Sequence, residues 1–428
     1  MNMVYSYAFG GLLPVSMYKS GRILYGIADN GTTTVVIGYD ADVGTFLTWT
    51  STDGSVFYEH QQASTTANNQ KYWRITYGGG VFVIVGSKGY VQHSTDGITW
   101  TPVTSINALA LTPNQGQEPN GSAPHLQSSR YSASYPLTYD IPPYDVWLPD
   151  QTAGIALYFV AYGGGKFVTL GNTDRIFYSS DGSTWSTSVN ASIAFSGVGG
   201  SSNESFPQFY GLVYNSTLNQ FVAYGRGWDS GSSTPYDLIG SSADGATWTW
   251  KNAFNTYTGD VGGNGRVYIY DMAVNGSGNM MTNGENGAYL SLDNSTGGYG
   301  GNGWYLSYWL TREAYALAYG NGKWVCYGRT NAPTGVRWEM TDATYAAAIA
   351  SAFTVSQFPF PAWNQVTMPS VTTYKPYPSW PAGSAGQGPD TLNSIYISRY
   401  SAFYAVGYFT GTAQGSSYVS YPYLMQHS

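Results

Sequence analysis

The chain is 428 residues long, with 24 acidic against 17 basic side chains, a formal net charge of −7, and 10% charged residues against 17% aromatic. It has no run of lysine and arginine to follow a phosphate backbone, which argues against nucleic-acid binding, and no apolar run long enough to span a bilayer. A single cysteine, Cys326, excludes an internal disulfide framework.

In chain order, the first segment, MNMVYSYAFGGLLPVSMYKS, has neither the basic start nor the apolar core of a secretory leader. Within it Val4–Phe9 alternates as a strand does. Gly26–Gly38 reads as strand, turn and strand, and leads to Ser51-Thr52-Asp53-Gly54. The clearest unit is Ile75–Thr101. There Gly78-Gly79-Gly80 supplies a tight turn. Val81–Val85 is a β-branched and aromatic run too short for a helix, so it predicts a buried strand ending at Gly86. Tyr90–Ser94 is a third strand, Thr95-Asp96-Gly97 a turn, and Ile98-Thr99-Trp100 opens a fourth strand.

That unit recurs. Ala161–Ser186 repeats it almost residue for residue, and Tyr214–Gly225 with Ser242–Trp248 repeats it more loosely. Ala273–Gly284, Ala318–Gly328 and Ile397–Gly407 keep the first hairpin. A marker glycine ends the second strand at Gly38, Gly86, Gly171, Gly225, Gly284, Gly328 and Gly407. The spacing fits one four-stranded blade per repeat. The expectation is an all-β propeller of four-stranded antiparallel blades, most simply seven, formed by residues 1–428 as a single domain. The last repeat lacks room for a fourth strand, so an N-terminal strand is expected to close it. Ala343–Phe353 is the one plausible helix, capped by Thr341 or Asp342. Cys326 falls within a predicted buried strand.

The segments Ser94–Trp100, Ser180–Trp185 and Ser242–Trp248 resemble the Asp-box, or BNR repeat, which reads Ser-x-Asp-(x)-Gly-x-Thr-Trp, the residue in parentheses being optional, and joins the third and fourth strands of a propeller blade. Ser51–Phe57 is a good copy, and those at Asp293 and Asp342 are degraded. The residues explain the pattern. An Asp carboxylate accepts N–H bonds within its own turn, the glycine takes a positive φ, and the tryptophan buries a large surface against the next blade. Asp53, Asp96, Asp181, Asp244, Trp100, Trp185 and Trp248 are therefore read as structural. The family spans sialidases, other glycosidases, sorting receptors, photosystem assembly factors and phage virion proteins, so the resemblance implies a fold rather than an activity.

Two insertions, residues 104–150 and 356–390, interrupt the repeat. They are rich in proline and aromatic residues and read as irregular loops. Loops of this length are commonly binding surfaces. Tyr131, Tyr135, Tyr139, Tyr144 and Trp147 in the first, and Trp363, Tyr374, Tyr377 and Trp380 in the second, are the binding candidates, because flat rings stack on sugar faces. Packing against neighbouring blades is the alternative.

A sialidase-like hydrolase would need three arginines, a Tyr–Glu nucleophile pair and an acid Asp. Gly21-Arg22-Ile23-Leu24 lacks the aromatic and the proline of the expected arginine motif. None of the glutamates, Glu313 among them, stands in a catalytic pattern. Asp40-Ala41-Asp42 and Asn283–Gly287 offer too few oxygens for calcium, and His60, His93, His125 and His427 are not spaced for zinc. The expectation is a protein with no catalytic residues, metal or cofactor. It would be a phage tail adhesin or a capsid-decorating protein, made in the host cytoplasm and exposed on the virion. Its expected partners are other virion proteins and host-surface carbohydrate, and it would act in several copies. A sialidase-like glycosidase and a purely structural assembly component are the alternatives.

Overall fold

The computed structural model describes residues 17, 19, 21–40, 42–61, 72–86, 89–103, 106, 157–171, 176–188, 204–229, 234–252, 269–284, 287–291, 304–307, 313–329, 335–352, 363–367, 390–412 and 418–427. They form six four-stranded antiparallel sheets and one three-stranded sheet. The first sheet contains β1 (Arg22–Asp29), β2 (Thr34–Asp40), β3 (Thr45–Ser51) and β4 (Tyr58–Gln61), and the second contains β5 (Tyr72–Gly78), β6 (Val81–Gly86), β7 (Val91–Ser94) and β8 (Thr101–Pro102). The third has β9 (Leu157–Gly163), β10 (Lys166–Gly171), β11 (Ile176–Ser179) and β12 (Ser186–Ser188). The fourth has β13 (Glu204–Asn215), β14 (Gln220–Asp229), β15 (Thr234–Ser242) and β16 (Thr249–Asn252). The fifth has β17 (Ile269–Val274), β18 (Met280–Gly284), β19 (Gly287–Ser291) and β20 (Trp304–Ser307). The sixth has β21 (Glu313–Gly320), β22 (Lys323–Arg329), β23 (Gly335–Thr341) and β24 (Asn364–Thr367), and the last has β25 (Asp390–Ile397), β26 (Ala402–Thr412) and β27 (Tyr418–His427).

The strands follow one another in each sheet as a simple meander. The first strands touch in cyclic order, β1 to β5, β9, β13, β17, β21 and β25, and β25 returns to β1. This arrangement puts the first strand of every sheet around one axis. It is an all-β propeller of four-stranded antiparallel blades.

The marker glycines have a structural cause. Each lies in the second strand of its sheet, opposite a β-bulge in the first strand. The extra residue is Tyr25, Trp73, Tyr158, Tyr210, Tyr270, Tyr315 or Leu392. A bulge bends its strand and crowds the partner strand. At Gly38 an added β-carbon would sit 2.6 Å from the carbonyl oxygen of Ile23. The glycine repeat is thus the imprint of a bulge that curves each first strand at the axis.

Apolar residues fill the space between sheets. Tyr25, Ile37, Trp73, Ile84, Tyr158, Leu170 and Leu212 belong to one buried cluster that crosses the first four sheets. Tyrosines near the ends of the first strands fit onto glycines of the preceding sheet: Tyr162 lies on Gly78, Tyr214 on Gly163 and Tyr396 on Gly320. Where an asparagine takes the glycine's place, a hydrogen bond crosses the seam instead. Asn215 Nδ2 donates to the Gly278 carbonyl at 2.8 Å, and Asn275 Nδ2 to Asp342 Oδ1 at 3.4 Å.

Two sequence expectations need correction. The helix α1 spans Asp342–Ala352, one residue earlier than expected, and the Thr341 hydroxyl caps it by accepting the Thr344 N–H at 3.2 Å. The 356–390 segment is not wholly irregular, because it contains β24, the fourth strand of the sixth sheet. Here α1 replaces the Asp turn, so the strand returns only after a long excursion and its short run, Asn364–Thr367, is hidden among prolines. The Val4–Phe9 strand, residues 104–150 apart from the buried Ile106, and the Asp293 turn lie outside the described residues.

Candidate functional site

The four Asp turns share one geometry. Asp96 Oδ1 accepts the N–H groups of Ile98 and Thr99, each at 2.8 Å, and the Ser94 hydroxyl at 2.8 Å. Asp181 and Asp244 repeat this set within 0.2 Å, and Asp53 does so with Ser51, Ser55 and Val56. The sequence reading put the tryptophan against the next sheet. Trp185 is buried in one cluster with Val83 and Val85 of the second sheet and Trp248 in one with Val168 and Leu170 of the third, while the indole N–H folds back to the turn glycine's carbonyl, at 3.2 Å for Trp100 and 3.0 Å for both Trp185 and Trp248. A buried N–H needs an acceptor, and the turn offers the nearest one. The glycine itself makes the seam. A β-carbon on Gly182 would lie 2.8 Å from Val83, and one on Gly245 would lie 2.6 Å from Val168, each in the preceding sheet. Gly97 meets Val35 in the same way, and Gly54 meets Tyr404 of the last sheet.

Burial works to raise the carboxyl pKa of Asp96 and Asp181, but the N–H and hydroxyl bonds outweigh it, and Asp181 falls to about 2. At Asp53 and Asp244 the N–H bonds are the leading influence and also lower the pKa. A lowered folded-state value contributes stability that is present above the unfolded pKa, about 3.9, and lost as pH falls through the folded value. Denaturant midpoints should therefore drop as pH falls from about 4 toward 2, and the drop should be smaller in Asp181→Asn. At neutral pH, Asp96→Ala should cost about 1–2 kcal/mol, the scale of a lost cap or turn bond. Loss of ligand binding at unchanged stability would contradict the structural role of Asp96.

The other carboxylates are also engaged. Asp40 accepts Arg22 Nε at 2.9 Å and Lys19 Nζ at 3.0 Å, so the Asp40–Asp42 corner is occupied by the chain's own cations. Burial tends to raise the Asp40 pKa, and those two partners bring it below the ordinary value. Glu59 takes Arg22 Nη1 at 2.7 Å and the Trp49 indole at 3.2 Å. Glu339 takes Arg337 at 2.7 Å, and Asp342 takes the Tyr319 hydroxyl at 2.5 Å. Asp29 holds Arg399 across the seam between the last and first sheets. No group of three or more metal-ligating side chains occurs among the described residues.

The axis carries a different arrangement. The residue after the bulge is Arg74 in β5 and Asp271 in β17, and both are half-buried. Asp271 Oδ2 accepts the Leu317 N–H of the sixth sheet at 3.0 Å. Asn393, at the same place in β25, accepts the Ile27 N–H of the first sheet at 3.2 Å. Burial raises the Asp271 carboxyl above its ordinary pKa, with the charge of Arg74 opposing. Arg74 lies over the Phe159 ring, 5.5 Å from its centroid. Across the ladder from Asp271, Asn283 is wholly buried and donates to Cys326 Sγ at 3.5 Å. Burial pushes the Cys326 thiol up to about 12, so it packs as a neutral thiol.

Sequence reasoning missed Arg74 and Asp271, and weighed Asn283 only as part of a calcium corner. Their signal is position: Arg74 and Asp271 each follow a bulged aromatic, ahead of the marker glycine. Of the aromatic binding candidates, Trp363 is half-buried against the cluster of Leu317, Trp324, Trp338 and Tyr345. Tyr131, Tyr135, Tyr139, Tyr144, Trp147, Tyr374, Tyr377 and Trp380 lie outside the described residues.

The meander sheets arranged around one axis define the class as a β-propeller. No protein-family model matches the chain, and no curated protein does. Among solved structures, YCF48 from Cyanidioschyzon merolae aligns at 10% identity and a TM-score of 0.47, covering 95% of this chain and 98% of that one. The WD40 β-propeller domain of Doa1 aligns at 10% identity and a TM-score of 0.45, covering 95% of both. An exo-β-1,3-galactanase from Phanerochaete chrysosporium aligns at 12% identity and a TM-score of 0.32, covering 62% of this chain and 59% of the enzyme. The class assignment rests on the chain's own sheets, and none of these likenesses transfers an activity.

Proposed function

We propose that the chain is a non-catalytic recognition and assembly ring of a phage particle, a tail-associated adhesin or a capsid-decorating protein. The supporting observation is that every acidic residue whose side chain is described already has a partner within the protein. A glycosidase needs two carboxyl groups free to face each other across a cleft. At the axis, the residues after the bulges include one described carboxylate, Asp271, and it binds backbone. Low charge and abundant aromatic and hydroxyl side chains suit adaptable, weakly charged contacts.

The ring is proposed to have seven blades within a single domain. In support, the last sheet meets the first through Gly54 and Tyr404, the same contact that joins earlier neighbours. β27 pairs with β26 alone among the described strands. Met17 is buried with Leu24, Ile397 and Leu424, between the first and last sheets. The segment ahead of Met17 is proposed as the missing fourth strand. The partners are other virion proteins and host-surface carbohydrate, met through the two insertions.

Labelled protein incubated with intact bacterial cells tests the adhesin reading. Saturable retention, competed by soluble surface polysaccharide, is expected. Absence of binding across hosts, together with regular copies on a particle in electron micrographs, would leave the assembly role in its place.

A further inference from the structure

One hairpin of the ring carries a reactive dipeptide that the fold leaves unguarded. Asn321-Gly322 joins β21 to β22, in the place where Gly79-Gly80 joins β5 to β6 and Gly164-Gly165 joins β9 to β10. Every residue of these turns has a positive φ, +48° at Asn321 and +71° at Gly322, as a two-residue turn between twisted strands requires. The ladder closes at Gly320 and Lys323, so the Gly322 N–H lies outside it. The Asn321 side chain is exposed and makes no hydrogen bond among the described residues.

The other described Asn-Gly pairs are locked. Asn30 Oδ1 accepts the Thr32 and Thr33 N–H groups at 2.9 and 2.6 Å, and the Gly31 N–H is given to Asp29 Oδ1 at 2.8 Å. Asn275 Oδ1 accepts the Ser277 and Asn279 N–H groups at 3.1 and 2.8 Å, its Nδ2 donates to Asp342, and the Gly276 N–H donates to the Tyr319 hydroxyl. Asn283 is wholly buried, and Gly284 is paired with Ile269 on one side and Gly287 on the other.

We propose that Asn321 is a site of spontaneous deamidation, a slow modification that loosens the seam between the fifth and sixth sheets. The Gly322 amide nitrogen loses its proton and attacks Asn321 Cγ, the bond from Cγ to the side-chain nitrogen breaks, and ammonia leaves. The cyclic imide takes up water and opens at either carbonyl, to aspartate or to isoaspartate, with nothing oxidised or reduced. Glycine has no β-carbon to shield the attacking nitrogen. Isoaspartate carries the chain through its side chain and so adds a methylene to a tight turn. The Gly322 carbonyl accepts the Asp342 N–H at 2.9 Å, and Asp342 in turn holds the Tyr319 hydroxyl and Asn275 Nδ2 of the fifth sheet. Displacing that carbonyl frees the start of α1. Either product also adds a negative charge to a turn that already faces Asp342, whose Oδ2 would lie 3.8 Å from a β-carbon on Gly322.

Ageing the purified protein at mildly alkaline pH, folded and in denaturant, tests this by peptide mass mapping, with isoaspartate methyltransferase labelling to separate the two products. In the folded chain Asn321 should convert about tenfold or more faster than Asn30, Asn275 and Asn283, a preference set by local protection that should fall away in denaturant. Hydrogen exchange at the start of α1 should accelerate as the parent ages. Asn321→Gly restores the Gly-Gly turn of the second and third sheets. It should keep the parent's near-ultraviolet dichroism and show no change in α1 exchange on ageing. A folded-state preference below that size, or one that persists in denaturant, would overturn the proposal. So would α1 exchange that stays constant as the parent ages, or that rises equally in the variant.

Discussion

Gly97→Val will destabilise the protein by about 3–5 kcal/mol, the sum of a backbone and a packing penalty. Gly97 has φ +74°, in the left-handed region. A β-carbon there costs about 1–2 kcal/mol, and a β-branched residue stands at the upper end. The side chain would also enter space filled by Val35 of the first sheet and lie close to Thr50. Overpacking of this kind costs about 1–3 kcal/mol. The neighbouring Ile98 is 43% exposed, so Ile98→Val should stay within about 0.5 kcal/mol of the parent. Denaturant unfolding of the two variants separates the cases. Equal midpoints would mean that the turn glycine does not form the seam.

Arg399→Ala should cost about 3–5 kcal/mol, the range for removing one partner of a mostly buried ion pair. Its guanidinium joins the last sheet to the first. Nη2 reaches Asp29 Oδ2 at 2.7 Å and the Thr34 hydroxyl at 2.8 Å, Nε reaches Asp29 Oδ2 at 3.0 Å, and Nη1 reaches the Thr52 carbonyl at 2.6 Å. The guanidinium carbon lies 4.0 Å from the centre of the Tyr400 ring. The two side chains are 19% and 13% exposed, so water replaces little of what is lost. A double-mutant cycle with Asp29→Asn should give a coupling of about 1–3 kcal/mol. Arg399→Lys should recover part of the loss, because an ammonium keeps the charge but not the fork. Hydrogen exchange should accelerate first in β1 and β25, on the two sides of that seam. Unchanged exchange there would show that the seam does not depend on Arg399.

The sheets were legible because their signals are local. A β-branched run between glycine turns specifies a strand, and Ser94-Thr95-Asp96-Gly97 specifies its own hydrogen bonds. The seven marker glycines were visible as a period, but their cause, a bulge in the partner strand, needs the ladder register. β24 was missed because its four residues give too short an alternation to stand out beside a helix and a proline-rich segment. Arg74 and Asp271 were missed for a different reason. They are distant in sequence, and only the ring of first strands brings the charge of Arg74 to bear on Asp271. The tryptophan of the Asp turn was read as a simple wedge, since composition reports its apolar area and not the direction of its N–H.

The central claim, recognition without catalysis, is tested most directly by product analysis. Purified protein is incubated with surface glycan from cells that retain it, and both fractions are examined by mass spectrometry. The account predicts that the bound glycan is recovered at its original mass, with no released sugar above a protein-free control. Time-dependent release of monosaccharide or shortened oligosaccharide, proportional to protein added, would contradict it.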